Sequence, residues 1–374
     1  MGALENMARL VELATARLTR ELHTPFVTAL RRTSHVFSIA VRVTDADGNV
    51  GLGEAPQVWR VTGESLESIE ACVLGPLTEA LLGHDPAEEP PESVHRALAQ
   101  AVVANGGARA ATETAVIDLL ARAAALPLAG FLGATAPSVG TDVTIAAQGR
   151  DWDPTGPAAT GFDQVKIKVG LDPADVGRVI EIHRSGSKPV RVDANQAWDV
   201  ATATAAVEAW LAAGVELDFL EQPLPAWDLA GHAELRRRMP VPIVLDESVF
   251  SAHDLARAVD AGSGDIVNIK LAKCGGLFAG IELARLATSA GLGLMVGSMM
   301  ESELGVSAAA ALAAVLAPHQ VHDLDAAWWS IDPVGDPGSP YRDSRFVIDR
   351  SPGLTHAESR LSLADLTWKT RPAR

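Results

Sequence analysis

Residues 190–198 read VRVDANQAW, four residues of strand character that end on Asp193 and run into a polar turn. The arrangement returns at 217–221 (LDFLE), ending on Glu221, and at 242–246 (PIVLD), ending on Asp246. Each repeat is about one strand-plus-helix unit long, and short apolar strands alternating with helical segments read as a parallel sheet. Working outward, further strands are expected at 143–147 (VTIAA), 164–168 (QVKIK), 266–270 (IVNIK), 292–297 (LGLMVG) and near 320–325 (QVHDLD). Eight such strands predict a closed barrel of the α/β class, in which all strand C-termini meet at one rim. The three acids then converge on one point.

Before residue 138 the pattern is different. VFSIAVRVT (36–44), the turn residues DADGN and VGLGEA form a strand, turn and strand, and 108–125 repeats apolar residues at helical spacing. The expected organisation is an α+β unit over 7–137, the barrel over 138–343 and a tail over 344–374 that folds back on the first unit, with Met7 as an alternative start.

Composition narrows the function classes. The chain has 374 residues, 48% hydrophobic and 21% charged, with no apolar run long enough to span a membrane. A net charge of −16 and the lack of a long Lys/Arg run argue against nucleic acid. Cys72 and Cys274 supply neither a disulfide framework nor a zinc spacing, and the first residues lack a signal-peptide pattern, so a cytoplasmic protein is expected.

Acids at strand ends also cap helices, but three in successive units favour a shared cation. Three carboxylates held together repel one another unless a cation neutralises them, and an all-oxygen set suits Mg²⁺. Lys168 ends the strand before the acids and Lys270 the strand after them, so two lysines bracket the proposed metal. Lys166 lies two residues before Lys168 on the same face of its strand. Its charge and that of the cation are expected to lower the Lys168 pKa toward a value useful for a base. Lys273 is expected to point into its loop, toward an anion or a carbonyl. Asp323 and Asp325 share one face at the end of the eighth strand; the pair fits either a surface turn or a receptor for an ammonium group. His319 and His322 flank it without an assigned role.

With KIK, DAN, EQP, DES and NIKLAKCGG in this order, the chain resembles the muconate-lactonizing-enzyme subgroup of the enolase superfamily, and within it the dipeptide epimerases. The similarity spans nearly the whole chain, including GLGEAP and TGES near the N-terminus and GSMMES at the seventh strand. The resemblance implies a modified (β/α)7β TIM-like barrel under an N-terminal α+β capping domain completed by the C-terminal tail. It implies Asp193, Glu221 and Asp246 as Mg²⁺ ligands, and Lys168 and Lys270 as the two acid/base catalysts. It also implies Asp323 and Asp325 as the receptor for a dipeptide ammonium, with Lys166, Ser298 and Arg31 as further substrate-binding residues. Epimerisation at the α-carbon of the C-terminal residue would proceed through an enediolate.

Two loops depart from the pattern, RRTSHVF after Arg31 and QVWRVT at 57–62, where Trp59 and Arg60 are bulky enough to reshape the pocket. A small-molecule dipeptide and a homo-oligomeric assembly are the expected partners. The rival readings are a muconate cycloisomerase, an o-succinylbenzoate synthase, an N-acylamino acid racemase, or an inactive binding protein. The other enzymes need no carboxylate pair at the eighth strand.

Overall fold

In a computed structural model the described residues are 9–28, 32–82, 89–146, 162–186, 189–330 and 338–371; Arg31 lies outside them. The N-terminal sheet is antiparallel, with Leu10–Val27, Arg32–Asp45 and Val50–Pro56 side by side and Lys369–Thr370 on its edge. The turn expected at Asp47-Gly48-Asn49 joins the second and third strands. There the Asp45 carboxylate accepts the N–H groups of Asp47 and Asn49 at 3.0 and 2.8 Å, and Gly48 takes a φ of +85° that side chains avoid. The 18-residue strand Leu10–Val27 was not expected. Leu13 to Ala16 are buried in succession, so the alternation that marks a half-buried strand is missing there.

The helix Gly106–Ala123 packs on this sheet, two residues earlier than its sequence pattern suggested. Contact is close because the sheet presents glycines: a Cβ on Gly53 would stand 2.1 Å from the Ala111 carbonyl oxygen. Asp118 on the helix accepts the Leu52 N–H at 2.8 Å and the Leu354 N–H at 2.6 Å, fixing sheet, helix and C-terminal segment to one carboxylate.

Seven strands from Val143–Ile145 to Gly293–Gly297 form one parallel sheet in sequence order. The ring closes through Ser138–Thr141, which precedes the first of these strands and pairs in parallel with Val321–His322. A bridge from Gly297 to Asp323 completes the circuit. The eighth strand is shorter than 320–325: its ladder pairing ends at Asp323, whose N–H donates to the Val296 carbonyl at 3.0 Å and whose carbonyl accepts the Ser298 N–H at 2.9 Å, and a 3₁₀ turn follows at Ala326–Ser330. The strand before Asp246 is only Ile243–Leu245, so this acid stands just past its strand. No described helix is long and apolar enough to cross a membrane, and Cys72 and Cys274 are both free and buried.

Candidate active site

Strand register explains why the rim residues meet. Lys168 pairs with Asp193, and Asp193 with Glu221, on three adjacent parallel strands, so the three side chains leave the sheet at one level. All are buried. Lys168 and Lys270 end the second and sixth strands of an eight-membered ring, which places them across its mouth from each other.

The charges interlock. Lys168 Nζ lies 2.5 Å from Asp193 Oδ2, and Lys270 Nζ 2.8 Å from Asp246 Oδ2. Lys166 Nζ lies 2.6 Å from Glu221 Oε2, 2.8 Å from Asp323 Oδ2 and 3.2 Å from Asp193 Oδ2. The two lysines of KIK therefore share a carboxylate oxygen of Asp193 instead of facing each other bare. Burial opposes charge on Lys166, but Asp323, Glu221 and Asp193 outweigh it and raise its pKa. Burial likewise opposes charge on Lys270, and Asp246 followed by Asp323 lifts it above the ordinary lysine value. Burial and then Asp193 push Glu221 up. Asp323, which burial alone would raise, is held down at about 2 chiefly by Lys166.

A cleft of about 660 Å³ opens above this cluster. Lys168, Lys270, Asp246, Asp323, Asp325 and Ser298 all reach its wall. Asp323 and Asp325 thus face inward, and the surface-turn alternative does not hold. Asp325 Oδ2 accepts the Thr144 N–H at 2.6 Å and the Trp329 Nε1–H at 3.1 Å, which orients the carboxylate. The N-terminal sheet and its loops supply the roof through Phe26, Thr28, Val58, Arg60 and Val61. Trp59 is 60% exposed and is not part of the wall, so of the two bulky residues only Arg60 shapes the cleft.

Lys166 is fully buried and does not reach the cleft. Its contacts are the three carboxylates beneath, which differs from the direct substrate contact expected of it. The same lysine is the cation beside Asp323, which the sequence left without a partner because the two are 157 residues apart. Lys273 reaches backbone carbonyls as expected, and also the Asp246 carboxylate at 2.6 Å. His322 is structural: its Nδ1 accepts the Val296 N–H at 3.1 Å, and its Nε2 lies 3.0 Å from the Ala317 carbonyl oxygen.

Three polar residues of the site escaped the sequence reading. Asn268 donates to Glu221 Oε1 at 2.8 Å; it lies two residues before Lys270, and the face-sharing argument used for Lys166 would have found it. Asn195 and Glu247 reach the cleft from the loops after Asp193 and Asp246, where no periodicity marks them. Burial, and then Asp246 and Asp193, push Glu247 up to about 8.

The donor set suits a hard divalent cation. Asp193, Glu221 and Asp246 offer carboxylate oxygens only, with no sulfur or imidazole among them. Glu221 Oε2 and Asp246 Oδ1 are buried with an ion pair but no hydrogen bond, and Glu247 Oε2 and Asn195 Oδ1 are buried with no hydrogen-bond partner among the described residues. As they stand, the carboxylates each hold an ammonium group, and no three acids, histidines or cysteines among the described residues are gathered to coordinate a single ion.

A capped parallel barrel whose rim gathers three strand-end carboxylates between two opposed lysines is the architecture of an enolase-superfamily enzyme. Residues 156–357 match the profile described as enolase C-terminal domain-like, and residues 10–133 match that of the mandelate racemase / muconate lactonizing enzyme N-terminal domain. An L-Ala-D/L-Glu epimerase of Bacillus subtilis is 34% identical over 353 residues, 92% of this chain and 96% of the relative. A substrate-liganded structure of L-Ala-D/L-Glu epimerase from Bacillus subtilis superposes with a TM-score of 0.86 at 34% identity, covering 92% of this chain and 98% of that one. A dipeptide epimerase from Enterococcus faecalis, complexed with Mg and L-Leu-L-Tyr, superposes with a TM-score of 0.83 at 29% identity, covering 92% and 99%. The chain belongs to the mandelate racemase / muconate lactonizing enzyme family of the enolase superfamily, and it is an isomerase.

Proposed function

We propose that the chain epimerises a dipeptide at the α-carbon of its C-terminal residue by a Mg²⁺-dependent, two-base 1,1-proton transfer. The observation that carries this reading is the placement of Lys168 and Lys270 on opposite sides of one cleft that also receives Asp323 and Asp325. Similarity to epimerases whose names and structures specify dipeptides supports the substrate class.

The α-proton beside a carboxylate is weakly acidic, and its removal places negative charge on that carboxylate. Asp193, Glu221 and Asp246 would hold Mg²⁺, which when bound would supply positive charge to offset the charge that develops on proton removal. Lys166 keeps Asp193, Glu221 and Asp323 within reach of one ammonium group, and Asn268 fixes the second oxygen of Glu221. One of the cleft lysines takes the α-proton, and the other delivers a proton to the opposite face, which inverts the centre without a redox step. Asp323 and Asp325 receive the dipeptide ammonium, with Asp325 aimed by Thr144 and Trp329. Ser298, whose N–H and hydroxyl both point to the Asp323 carbonyl, holds the wall beside them. Arg60 stands in the cap-side wall of the cleft, where its positive charge would favour an acidic substrate side chain.

The proposal is tested by comparing free-amine dipeptides with the same dipeptides acylated at the N-terminus. Turnover confined to the free amines supports it; equal turnover of both, or turnover of acylated amino acids alone, removes the ammonium site.

A further inference from the structure

Lys273 is the fourth lysine of the site and the only one of them, besides Lys166, that does not open onto the cleft. It belongs to the short helix Leu271–Cys274, directly after the strand that ends on Lys270. Its ammonium is buried, donates to two backbone carbonyls and forms one ion pair, all inside the protein. Nζ lies 2.6 Å from Asp246 Oδ1, 2.5 Å from the Asp246 carbonyl oxygen and 2.8 Å from the Asn268 carbonyl oxygen. The face of the Phe250 ring, 5.6 Å away, covers the same group.

Asp246 needs such a hold. It stands one residue past its strand, outside the sheet ladder; its N–H is tied to the Gln222 side chain at 2.9 Å and its carbonyl also accepts the Val249 N–H at 3.1 Å, but neither bond aims the carboxylate. A carboxylate there has two oxygens to aim. Lys273 takes Oδ1 together with the carbonyl of the same residue, a two-point grip, while Oδ2 lies 2.8 Å from Lys270 Nζ. The grip is itself anchored by the cap: a Cβ on Gly106, at the start of the long cap helix, would stand 2.3 Å from the Ala272 carbonyl oxygen and 2.9 Å from that of Lys273.

We infer that Lys273 is a positioning residue for metal binding, which orients Asp246 by one oxygen so that the other is presented to the cation. The inference rests on the reading of Asp246 as a Mg²⁺ ligand, and it concerns affinity for the ion before any substrate is bound. Groups that orient a ligand from behind typically contribute about ten- to a hundredfold in metal affinity.

The test is calorimetric titration of Mg²⁺ into EDTA-stripped, substrate-free wild type, Lys273→Met and Lys273→Gln, with melting of each protein in EDTA as the measure of fold. Lys273→Met removes every donor, whereas Lys273→Gln keeps an amide for the two carbonyls but removes the charge at Oδ1. The expected result is a Mg²⁺ Kd raised about tenfold or more in both variants, with the metal-free melting temperature of at least the glutamine variant close to wild type. A Kd within twofold of wild type in either folded variant overturns the inference, as does loss of the native circular dichroism spectrum in both, which makes Lys273 a folding residue. Failure of the wild type to bind Mg²⁺ overturns the metal reading itself, and is told apart by the first titration.

Discussion

Gly297 and Lys270 are register partners on adjacent strands, and a Cβ on Gly297 would stand 2.7 Å from Lys270 Cε and 2.6 Å from Asn268 Oδ1. The glycine is needed for space, since the lysine stem and the asparagine that steadies Glu221 lie across the place a side chain would take. Gly297→Ala is therefore expected to displace Lys270 and lower kcat by about a hundredfold, the scale of a 1 Å misplacement of a reacting group. Steady-state kinetics beside a thermal melt check this; unchanged kcat would show that Lys270 has slack.

Lys168→Ala and Lys270→Ala are each expected to abolish epimerisation, by at least about a thousandfold. The two variants are expected to differ in one-sided exchange, each retaining α-proton exchange only with the isomer whose proton faces the surviving lysine. NMR in D₂O with the L and D isomers separately reads this, and full activity in either variant ends the two-base assignment.

Asp325→Asn keeps an oxygen for Thr144 and Trp329 but removes the charge offered to the ammonium. Loss of a charge-assisted hydrogen bond of about 1.5–3 kcal/mol predicts a KM for free-amine dipeptides raised roughly ten- to a hundredfold. The comparison is with an N-acylated analogue as a competitive inhibitor, whose Ki should hardly change; parallel losses would mean that the site as a whole had been damaged.

His322 gives a pH dependence of stability. Burial pushes its pKa down from about 6.5 to about 4, and its Nδ1 accepts a backbone N–H that a protonated ring would repel. The unfolded chain therefore takes up a proton that the native state refuses. Stability is complete above pH 6.5 and falls as pH drops toward 4, by roughly 3 kcal/mol in all. Melting temperatures from pH 7 to pH 4 should fall more steeply in wild type than in His322→Gln; coincident slopes would place the acid sensitivity elsewhere.

The barrel was legible because its strand ends carry chemistry. Acids closing VRVD, LDFLE and PIVLD, with lysines closing the strands on either side, fixed both period and polarity, and strand register then brought Lys168, Asp193 and Glu221 to one level. Period-2 reasoning placed Asp323 beside Asp325, yet it could not show Lys166 as the cation beneath Asp323, since that pairing depends on ring closure through Ser138–Thr141. Asn195 and Glu247 lie in loops without periodicity, and the strand at Leu10–Val27 is buried on both faces over Leu13–Ala16, which erased its alternation there.

Epimerisation is read at the reacting atom by incubating the protein with Mg²⁺ and pooled L,L-dipeptides, Ala-Glu included, in D₂O and following mass gain at the α-carbon. One deuterium at the C-terminal residue of a subset of dipeptides, together with appearance of the L,D form, is the expected result. No deuterium in any dipeptide, with Mg²⁺ shown to be bound, would contradict it.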